Sequence, residues 1–422
     1  MSTPQNRDQI YVYTDNHEHK DPIFMGILSV SVVRGKEIFS FEYDSVFLKS
    51  DFAIELDPNL KLFKGTQYLP NDKTNFGIFM DSAPDRWGRV LMDRREAANS
   101  ILEDRSARKL QESDYLLGVF DETRMGALRF KVNINGPFLD DNIRHTTPPF
   151  TSLRELEYAS IVIEDDARFE QSDYHKQLNL LVAPGSSLGG ARPKANVQDP
   201  NKNLWIAKFP SKMDSIDQGA WEYIVYQLAI RCGIKMSESK ISTYYSDRHT
   251  FLTRRFDRDE YRHRIHFVSA MTLLGYQDGA NATSGVSYLE LVDLISQRGA
   301  SIEEDLEQLW RRIVFNICVS NTDDHLRNHG FILTNSGICL SPAYDLNPNP
   351  KDHGLTLNID EHNNALDVDL ALKVAPYFRL THTTATEIIA DMKSEISNWM
   401  THANDINLSR REQQEMAPAF KM

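Results

Sequence analysis

The sequence has few cysteines and no long apolar run. Its 422 residues contain three cysteines, Cys232, Cys318 and Cys339, which are too few and too scattered for a disulfide framework. No stretch approaches the roughly 18 consecutive apolar residues of a membrane-spanning helix. The first residues, MSTPQNRDQIYVY, lack the apolar core of a secretory signal. These absences predict a cytoplasmic protein that has no membrane partner.

Basic residues are also fewer than acidic residues. The chain has 60 Asp and Glu residues against 47 Lys and Arg residues, for a net charge of −13. On average such a surface repels phosphate backbones, so DNA contact is expected only indirectly, through a basic partner. Hydrophobic residues make up 41% and charged residues 25%, as in ordinary globular proteins. At roughly 100–200 residues per domain, the length predicts two or three domains.

Strand patterns dominate the first part of the chain and helix patterns the last. Alternating or apolar runs predict strands at residues 10–15, 23–33, 37–44, 125–133 and 203–210, and a hairpin over 240–259. Helical spacing of apolar residues predicts helices at 81–101, 106–120, 151–169, 219–234, 302–320 and 384–403. Three prolines within 134–150 predict a linker. The order indicates an α+β chain, divided into 1–140, 141–260 and 261–422.

The segment SNTDDHLRNHGFIL (320–333) lies between an apolar helix pattern and a strand pattern. Its Asp323 and Asn328 have the D-x-x-x-x-N spacing of the protein-kinase catalytic loop. Asp345 follows another strand pattern, as the metal-binding Asp does in kinases. Phosphoryl transfer needs one carboxylate to orient the nucleophile and hard oxygen ligands for Mg²⁺. Isolated Asp and Asn are common turn residues, so it is the combination that indicates a site.

A glycine-rich segment and a strand lysine precede this loop. In GSSLGGARPKANV (185–197), glycines let backbone N–H groups approach phosphate, and Arg192 and Lys194 complement its charge. The segment matches neither G-x-x-x-x-G-K-[ST] nor G-x-G-x-x-G, and alone it is typical of a surface turn. Lys208, in the strand pattern LWIAKFP, has the place of the kinase lysine that pairs with nucleotide phosphates.

Together these motifs resemble the HipA-like serine/threonine kinases, the toxins of type II (HipBA) toxin–antitoxin systems. The resemblance covers nearly the whole chain and is carried by SSLGGARPK (186–194), WIAKFP (205–210), RRFDR (254–258), NTDDHLRNHGF (321–331) and SPAYDLNP (341–348). FMDSAPDRWGR (79–89) and DYLLGVFDETRMGALRF (114–130) are similar to the family's N-terminal subdomain. The resemblance implies a bilobal protein-kinase-like fold with a β-rich N-terminal subdomain and a mostly helical C-terminal lobe. The first 140 residues carry no readable chemistry, and we expect them to be structural or partner-binding.

The resemblance also implies a role for each matching residue. Asp323 would be the catalytic base, and Asn328 and Asp345 would bind Mg²⁺. The implied ATP-binding residues are Lys208, Ser187, Leu188, Gly189, Gly190, Arg255, Phe256 and Asp257. Autophosphorylation is expected at Ser187 or Ser186.

The implied function is an ATP- and Mg²⁺-dependent serine/threonine protein kinase that phosphorylates a protein such as an aminoacyl-tRNA synthetase. Its implied partner is a HipB-like helix-turn-helix antitoxin that binds operator DNA. One alternative is a non-catalytic corepressor subunit that strengthens the antitoxin's DNA binding. Another is a metal-dependent hydrolase using Asp323, Asp324, His325 and Asp345, or a zinc site that includes His325 and His329.

Overall fold

The structure is a computed structural model that describes residues 8–18, 20–51, 53–70, 73–139, 147–165, 172–182 and 190–421. The chain forms two compact units. The first comprises Met1–Lys212 and Asp257–Val268, and the second comprises Met213–Phe256 and Ser269–Met422. The finer division into 1–140, 141–260 and 261–422 stays a prediction. Among the described residues, no helix combines the length and the apolarity needed to span a bilayer.

The first unit contains a five-stranded antiparallel sheet with the strand order β4-β3-β2-β1-β5. Its strands are β1 Gln9–Thr14, β2 Ile23–Val33, β3 Lys36–Tyr43, β4 Thr66–Tyr68 and β5 Leu128–Lys131. Successive strand side chains point to opposite faces, and alternate residues such as Ile10, Val12, Phe39 and Phe41 are therefore buried. The strands predicted at 10–15, 23–33 and 37–44 are confirmed, and the one predicted at 125–133 is shorter.

The helices of the first unit are α1 Gly77–Asp81, α2 Arg86–Leu102, α3 Glu112–Leu117, α4 Leu153–Ile163 and α5 Ser172–Val182. The predicted helix 81–101 is confirmed in its main part. It begins only at Arg86, because the Asp85 carboxylate accepts a hydrogen bond from Gly88 N at 2.7 Å and caps α2. The predicted helix 106–120 was too long, because the Asp114 carboxylate accepts from Gln111 N and starts α3 at that point.

A second, two-stranded ladder of the first unit pairs β6 Lys194–Gln198 with β7 Leu204–Lys208. The strands are antiparallel, with Lys194 opposite Lys208. The strand predicted at 203–210 is confirmed. The helix predicted over 151–169 is confirmed in its main part as α4, which ends at Ile163, and residues 166–169 lie outside the described part of the chain.

The second unit is mostly helical. Its helices are α6 Gln218–Arg231, α7 Ala270–Leu273, α8 Tyr288–Arg298, α9 Ile302–Val319, α10 Val368–Val374, α11 His382–Ile396, α12 Trp399–Asp405 and α13 Arg410–Met416. Its strands form two antiparallel hairpins, β8 Ser239–Ser242 with β9 Thr250–Arg254 and β11 Gly330–Thr334 with β12 Gly337–Leu340. The short strand β10 Phe267–Ser269 begins in the first unit and ends in the second. The hairpin predicted at 240–259 and the helices predicted at 219–234 and 302–320 are confirmed.

The predicted helix 384–403 is two helices, α11 and α12. The chain breaks at Ser397 and Asn398, whose side chains both hydrogen-bond the Ser394 carbonyl, at 2.7 and 3.2 Å. Such short polar side chains compete with the helical ladder for backbone acceptors. The apolar spacing persists on both sides of the break, which explains why the pattern predicted one helix.

Candidate active site

The segment that contains Asp323 begins where α9 ends. Ser320 has a left-handed conformation with φ of 51°, which ends the helix and turns the chain. Residues Leu326–Asn328 form a 3₁₀ turn, and β11 starts at Gly330. Because α9 and β11 are both largely buried, this loop is held on a rigid scaffold, where functional side chains are usually placed.

Asp323 and Asn328 are brought together by hydrogen bonds within the loop. The Asn328 side-chain Nδ2 donates to the Asp323 carbonyl at 3.1 Å, and His325 N donates to the same oxygen at 3.0 Å. Asn328 is 7% exposed. Since the amide nitrogen of Asn328 is used in this bond, its Oδ1 is the atom that remains for binding a cation.

The carboxyl of Asp323 lies in an environment that disfavours its charge. Burial raises the pKa of Asp323, and the nearby carboxylates of Asp345 and Asp324 raise it further, while His325 and Arg327 act in the opposite direction. A base is more effective in proton transfer when its pKa lies closer to the working pH. The influence of Asp345 also means that the two predicted carboxylates lie near each other, although they are far apart in the sequence.

Asp345 follows the β11–β12 hairpin, as the sequence predicted. It has a positive φ of 60°, a conformation that L-residues rarely adopt and that is often found at functional sites. Its Oδ1 accepts a hydrogen bond from the Asn347 side chain at 3.2 Å. The hairpin and this contact hold the carboxylate in place.

The oxygen atoms of Asn328 and Asp345 fit Mg²⁺ better than zinc. Mg²⁺ is usually held by one or two carboxylates together with substrate phosphates and water, whereas structural zinc sites use Cys and His. Across the described residues, no group of three or more His, Cys, Asp or Glu side chains is placed to hold a metal ion. His329 Nε2, a ligand in the zinc alternative, hydrogen-bonds Asp324 at 2.9 Å.

Asp324 itself is a residue whose surroundings the sequence did not reveal. It is 2% exposed and hydrogen-bonds Tyr288, Asn316 and His329. Burial alone would raise its pKa, but His329 and Tyr288 lower the pKa of Asp324 below its usual range, so the carboxylate is ionised. A buried carboxylate with three hydrogen bonds to one oxygen is unsuited to the direct role that the hydrolase alternative gave it.

The predicted ATP-binding residues of the glycine-rich segment are only partly described. Ser186, Ser187, Leu188 and Gly189 lie outside the described residues. Gly190 has a φ of +87°, a conformation that glycine adopts without strain. Lys208 is the last residue of β7 and belongs to the first unit, whereas Asp323 belongs to the second. The nucleotide-binding role of all these residues stays a prediction.

Lys194 does not have the surroundings that the sequence predicted. Its Nζ forms an ion pair with the Asp85 carboxylate at 3.0 Å, with side chains that are 3% and 2% exposed, instead of lying free for phosphate. The same Nζ donates to the Gly190 carbonyl at 3.3 Å. Trp87 N donates to that carbonyl at 3.4 Å, and Trp87 Nε1 donates to the Lys194 carbonyl at 3.1 Å.

These contacts give the N-terminal segment a local role that its sequence did not disclose. Asp85 and Trp87 belong to the motif FMDSAPDRWGR and hold the end of the glycine-rich segment. In the sequence, the only indication of this role was the weaker resemblance of that motif to the family's N-terminal subdomain. The pairing itself joins residues 109 positions apart and could not be inferred from a single sequence.

Arg255 and Phe256 lie in the second unit. The Phe256 ring packs against Tyr344, with ring centres 5.6 Å apart, and the Tyr344 hydroxyl donates to the Arg327 carbonyl at 2.6 Å. Phe256 therefore contacts a residue next to Asp345. Arg255 is buried, with 4% exposure.

Asp257 lies in the first unit and is fully buried. Its Oδ2 accepts from Gly126 N at 2.8 Å and from Arg258 Nη1 at 2.6 Å. The carboxylate therefore anchors the turn at Gly126, whose φ is +73°. Its predicted part in ATP binding stays a prediction, and with these contacts it would act by supporting the backbone.

Known proteins resemble this chain in sequence and in fold. Residues 186–400 match the family model of the HipA-like C-terminal domain. A candidate kinase of Haemophilus influenzae strain KW20 Rd is 26% identical over 209 residues, which are 44% of this chain and 61% of the relative. The matched region thus spans less than two thirds of that relative.

Solved structures extend the comparison to the whole fold. HipA of Shewanella oneidensis MR-1, in its complex with HipB and operator DNA, matches with a TM-score of 0.64 and 18% identity, over 97% of this chain and 94% of that one. The kinase CtkA of Helicobacter pylori matches with a TM-score of 0.33 and 14% identity over 51% and 95%, a score too low to establish a shared fold. The predicted HipA-like α+β fold is confirmed. Since the family model covers half of the sequence, the chain belongs to the family of proteins with a HipA-like C-terminal domain.

Proposed function

We propose that the chain is an ATP- and Mg²⁺-dependent serine/threonine protein kinase and the toxin of a toxin–antitoxin pair. The observation that carries this proposal is the proximity of Asp323 to Asn328 and to Asp345. Their kinase-like spacing is accompanied by the Asn328–Asp323 hydrogen bond and by the electrostatic influence of Asp345 on Asp323. Membership of the HipA-like family supports the same activity.

In this proposal each residue has one chemical task. The Asp323 carboxylate accepts the proton of a serine or threonine hydroxyl, a task that its raised pKa favours. Asn328 Oδ1 and the Asp345 carboxylate hold Mg²⁺, which when bound neutralises charge on the transferred phosphoryl group. Lys208 binds ATP phosphates, as the family resemblance implies. The protein's contribution is mainly positioning and charge stabilisation.

The proposal includes regulation and a partner. Ser186 or Ser187 is the proposed autophosphorylation site, in keeping with the family resemblance. The solved Shewanella HipA is in complex with HipB and operator DNA, and we propose a HipB-like antitoxin as the partner of this chain. The net charge of −13 favours DNA contact through that partner. A protein such as an aminoacyl-tRNA synthetase is the proposed substrate.

The second candidate function is a non-catalytic corepressor, which the same HipA–HipB–DNA complex favours. It predicts binding to a small DNA-binding protein without phosphoryl transfer. The retained set of Asp323, Asn328 and Asp345 favours the kinase, because a corepressor has no chemical need for these three groups.

The test is the intact mass of the purified protein after incubation with ATP and Mg²⁺, followed by peptide mapping. We expect one added phosphate on Ser186 or Ser187 in the wild type and none in Asp323→Asn. Asp360→Asn is the matched control, since the Asp360 carboxylate accepts backbone hydrogen bonds from His362 and Asn363 in another loop of the same unit. A folded Asp323→Asn protein that gains phosphate as fast as the wild type would exclude the assigned mechanism. A wild type that neither arrives phosphorylated nor binds ATP would favour the corepressor.

A further inference from the structure

Asp324 is held at once by two helices of the second unit and by a residue of its own loop. Its Oδ2 accepts from the Tyr288 hydroxyl at 2.5 Å, from Asn316 Nδ2 at 2.8 Å and from His329 Nε2 at 2.9 Å. Tyr288 is the first residue of α8, Asn316 lies within α9, and His329 precedes β11. Because an ionised carboxylate only accepts, the proton of His329 is on Nε2. Asp324 therefore fixes the loop at the residue next to Asp323.

A continuous chain of hydrogen bonds leads from Asp324 to Asp345. Asn316, which donates to Asp324, accepts at Oδ1 from Asn321 Nδ2 at 3.0 Å. Asn321 Oδ1 in turn accepts from Asn347 N at 3.1 Å, and Asn347 Nδ2 donates to the Asp345 carboxylate at 3.2 Å. Asn316 and Asn321 are fully buried. We refer to Asn316, Asn321 and Asn347 as the amide chain.

Each amide in this chain has one orientation that satisfies both of its neighbours. Nδ2 of Asn316 must face the Asp324 carboxylate, so its Oδ1 must face Asn321. The same reasoning orients Asn321 toward the backbone of Asn347. If one of these amides rotated, buried polar groups would lose their partners, at a cost in free energy. The three amides therefore keep their orientations together.

Arg312, in α9, is a second residue that interacts with both the segment of Asp324 and the segment that precedes Asp345. It is 3% exposed, and its Nη2 donates to the Ser341 carbonyl, four residues before Asp345, at 2.5 Å. Burial lowers the pKa of Arg312 to about 10, and the charge of Asp324 offsets this effect in part. Arg312 remains a cation at neutral pH and compensates the buried charge of Asp324.

We infer that Asp324 is a positioning residue that, through the amide chain, sets the catalytic base Asp323 and the metal ligand Asp345 in register with each other. The inference rests on the proposed phosphoryl transfer and assigns roles to Asp324, Asn316 and Asn321 that this proposal lacked. The physical reason is that reacting groups on two separate loops must be held in fixed positions relative to each other, because a displacement of about 1 Å can cost about a hundredfold in rate.

The test compares Asp324→Ala, Asn321→Ala and their double variant with the wild type. Each single variant should lower kcat about tenfold to a hundredfold and change KM for ATP less than about threefold, because Asp323 and Lys208 are intact. Since both substitutions break one chain, the double variant should be within about threefold of the poorer single variant. If Asp324→Ala does not fold, Asn321→Ala carries the test alone.

Asp305→Asn is the matched control. Asp305 is also a buried carboxylate of the second unit, but it accepts from Leu340 N and lies outside the amide chain. Its kcat should stay within about twofold of the wild type, even if stability falls. The inference would be overturned if the losses of kcat in Asp324→Ala and Asn321→Ala multiplied in the double variant. A folded Asn321→Ala protein with wild-type kcat would also overturn it.

Hydrogen exchange separates a failure of this inference from a failure of the proposed function. The Asn347 amide proton is a link of the chain and should exchange more than about tenfold faster in Asp324→Ala and Asn321→Ala, but not in Asp305→Asn. Unchanged exchange at Asn347 would overturn the inference whether or not the wild type transfers phosphate. A wild type without phosphoryl transfer, with the expected exchange pattern, would refute the kinase proposal alone.

Discussion

Replacing Lys194 with methionine should locally destabilise the first unit, because it removes a buried cation that pairs with the Asp85 carboxylate. The two side chains form an ion pair at 3.0 Å and are 3% and 2% exposed. Removing one partner of a buried pair typically costs about 3–5 kcal/mol, since the remaining charge stays desolvated. Asp85 keeps its bond to Gly88 N, which places the loss near the lower end of that range.

The assay is hydrogen–deuterium exchange of peptides that cover α2 and β6. At about 1.4 kcal/mol per tenfold, a local loss near 3 kcal/mol corresponds to exchange that is roughly a hundredfold faster. Lys212→Met is the matched control, because Lys212 pairs with Asp165 on the surface of the same unit, with side chains 36% and 30% exposed. It should cost less than about 1 kcal/mol.

A second substitution tests the cause of this effect. Adding Asp85→Asn to Lys194→Met removes the buried carboxylate charge and should restore part of the lost protection, so that the two changes are not additive. If the α2 and β6 peptides exchanged no faster in Lys194→Met than in Lys212→Met, the reasoning would be refuted. The same result in the double variant as in Lys194→Met would show that packing, and not charge, is responsible.

The remaining predictions concern the second unit. The hydrogen bond that His249 Nδ1 donates to the Asp217 carboxylate raises the pKa of His249. Its contribution to the stability of the fold is therefore complete below the unfolded pKa, near 6.5, and is lost as pH rises through the folded pKa. Thermal melts from about pH 5 to about pH 8 should therefore show a decline that Asp217→Asn removes, and an unchanged decline would contradict this. Gly219→Ala would bring its Cβ into collision with the His249 carbonyl oxygen and should cost about 1–3 kcal/mol, measured as a lower urea midpoint. Because burial raises the pKa of Asp323, the acid limb of kcat against pH should have a midpoint above about 4, and a midpoint below that value would argue against Asp323 as the base.

Local patterns in the sequence were sufficient to predict much of the fold. The apolar alternation at residues 23–33 and the apolar face of 302–320 predicted β2 and α9 correctly, because one buried face determines each pattern. The errors are at element ends, which depend on single hydrogen bonds. The Ser397 and Asn398 side chains break a helix whose apolar spacing continues on both sides.

The candidate site was predictable where its residues are close in the sequence. Asp323 and Asn328 belong to one short motif, and Asp345 follows at the next hairpin. The contacts of Asp324 with Tyr288, or of Lys194 with Asp85, join distant segments, and one sequence contains no signal for such pairs. Lys194 was accordingly predicted to face phosphate although it is buried in an ion pair.

The most direct test of the central claim is phosphoryl transfer by the wild type and Asp323→Asn, measured together with Mg-ATP binding by calorimetry. We expect both proteins to bind Mg-ATP with similar affinity, because Asn328, Asp345 and Lys208 are retained. The variant should transfer phosphate about 10²–10⁴-fold more slowly, the usual contribution of a general base. Equal transfer rates in two folded, ATP-binding proteins would contradict the claim that Asp323 is the base of a kinase.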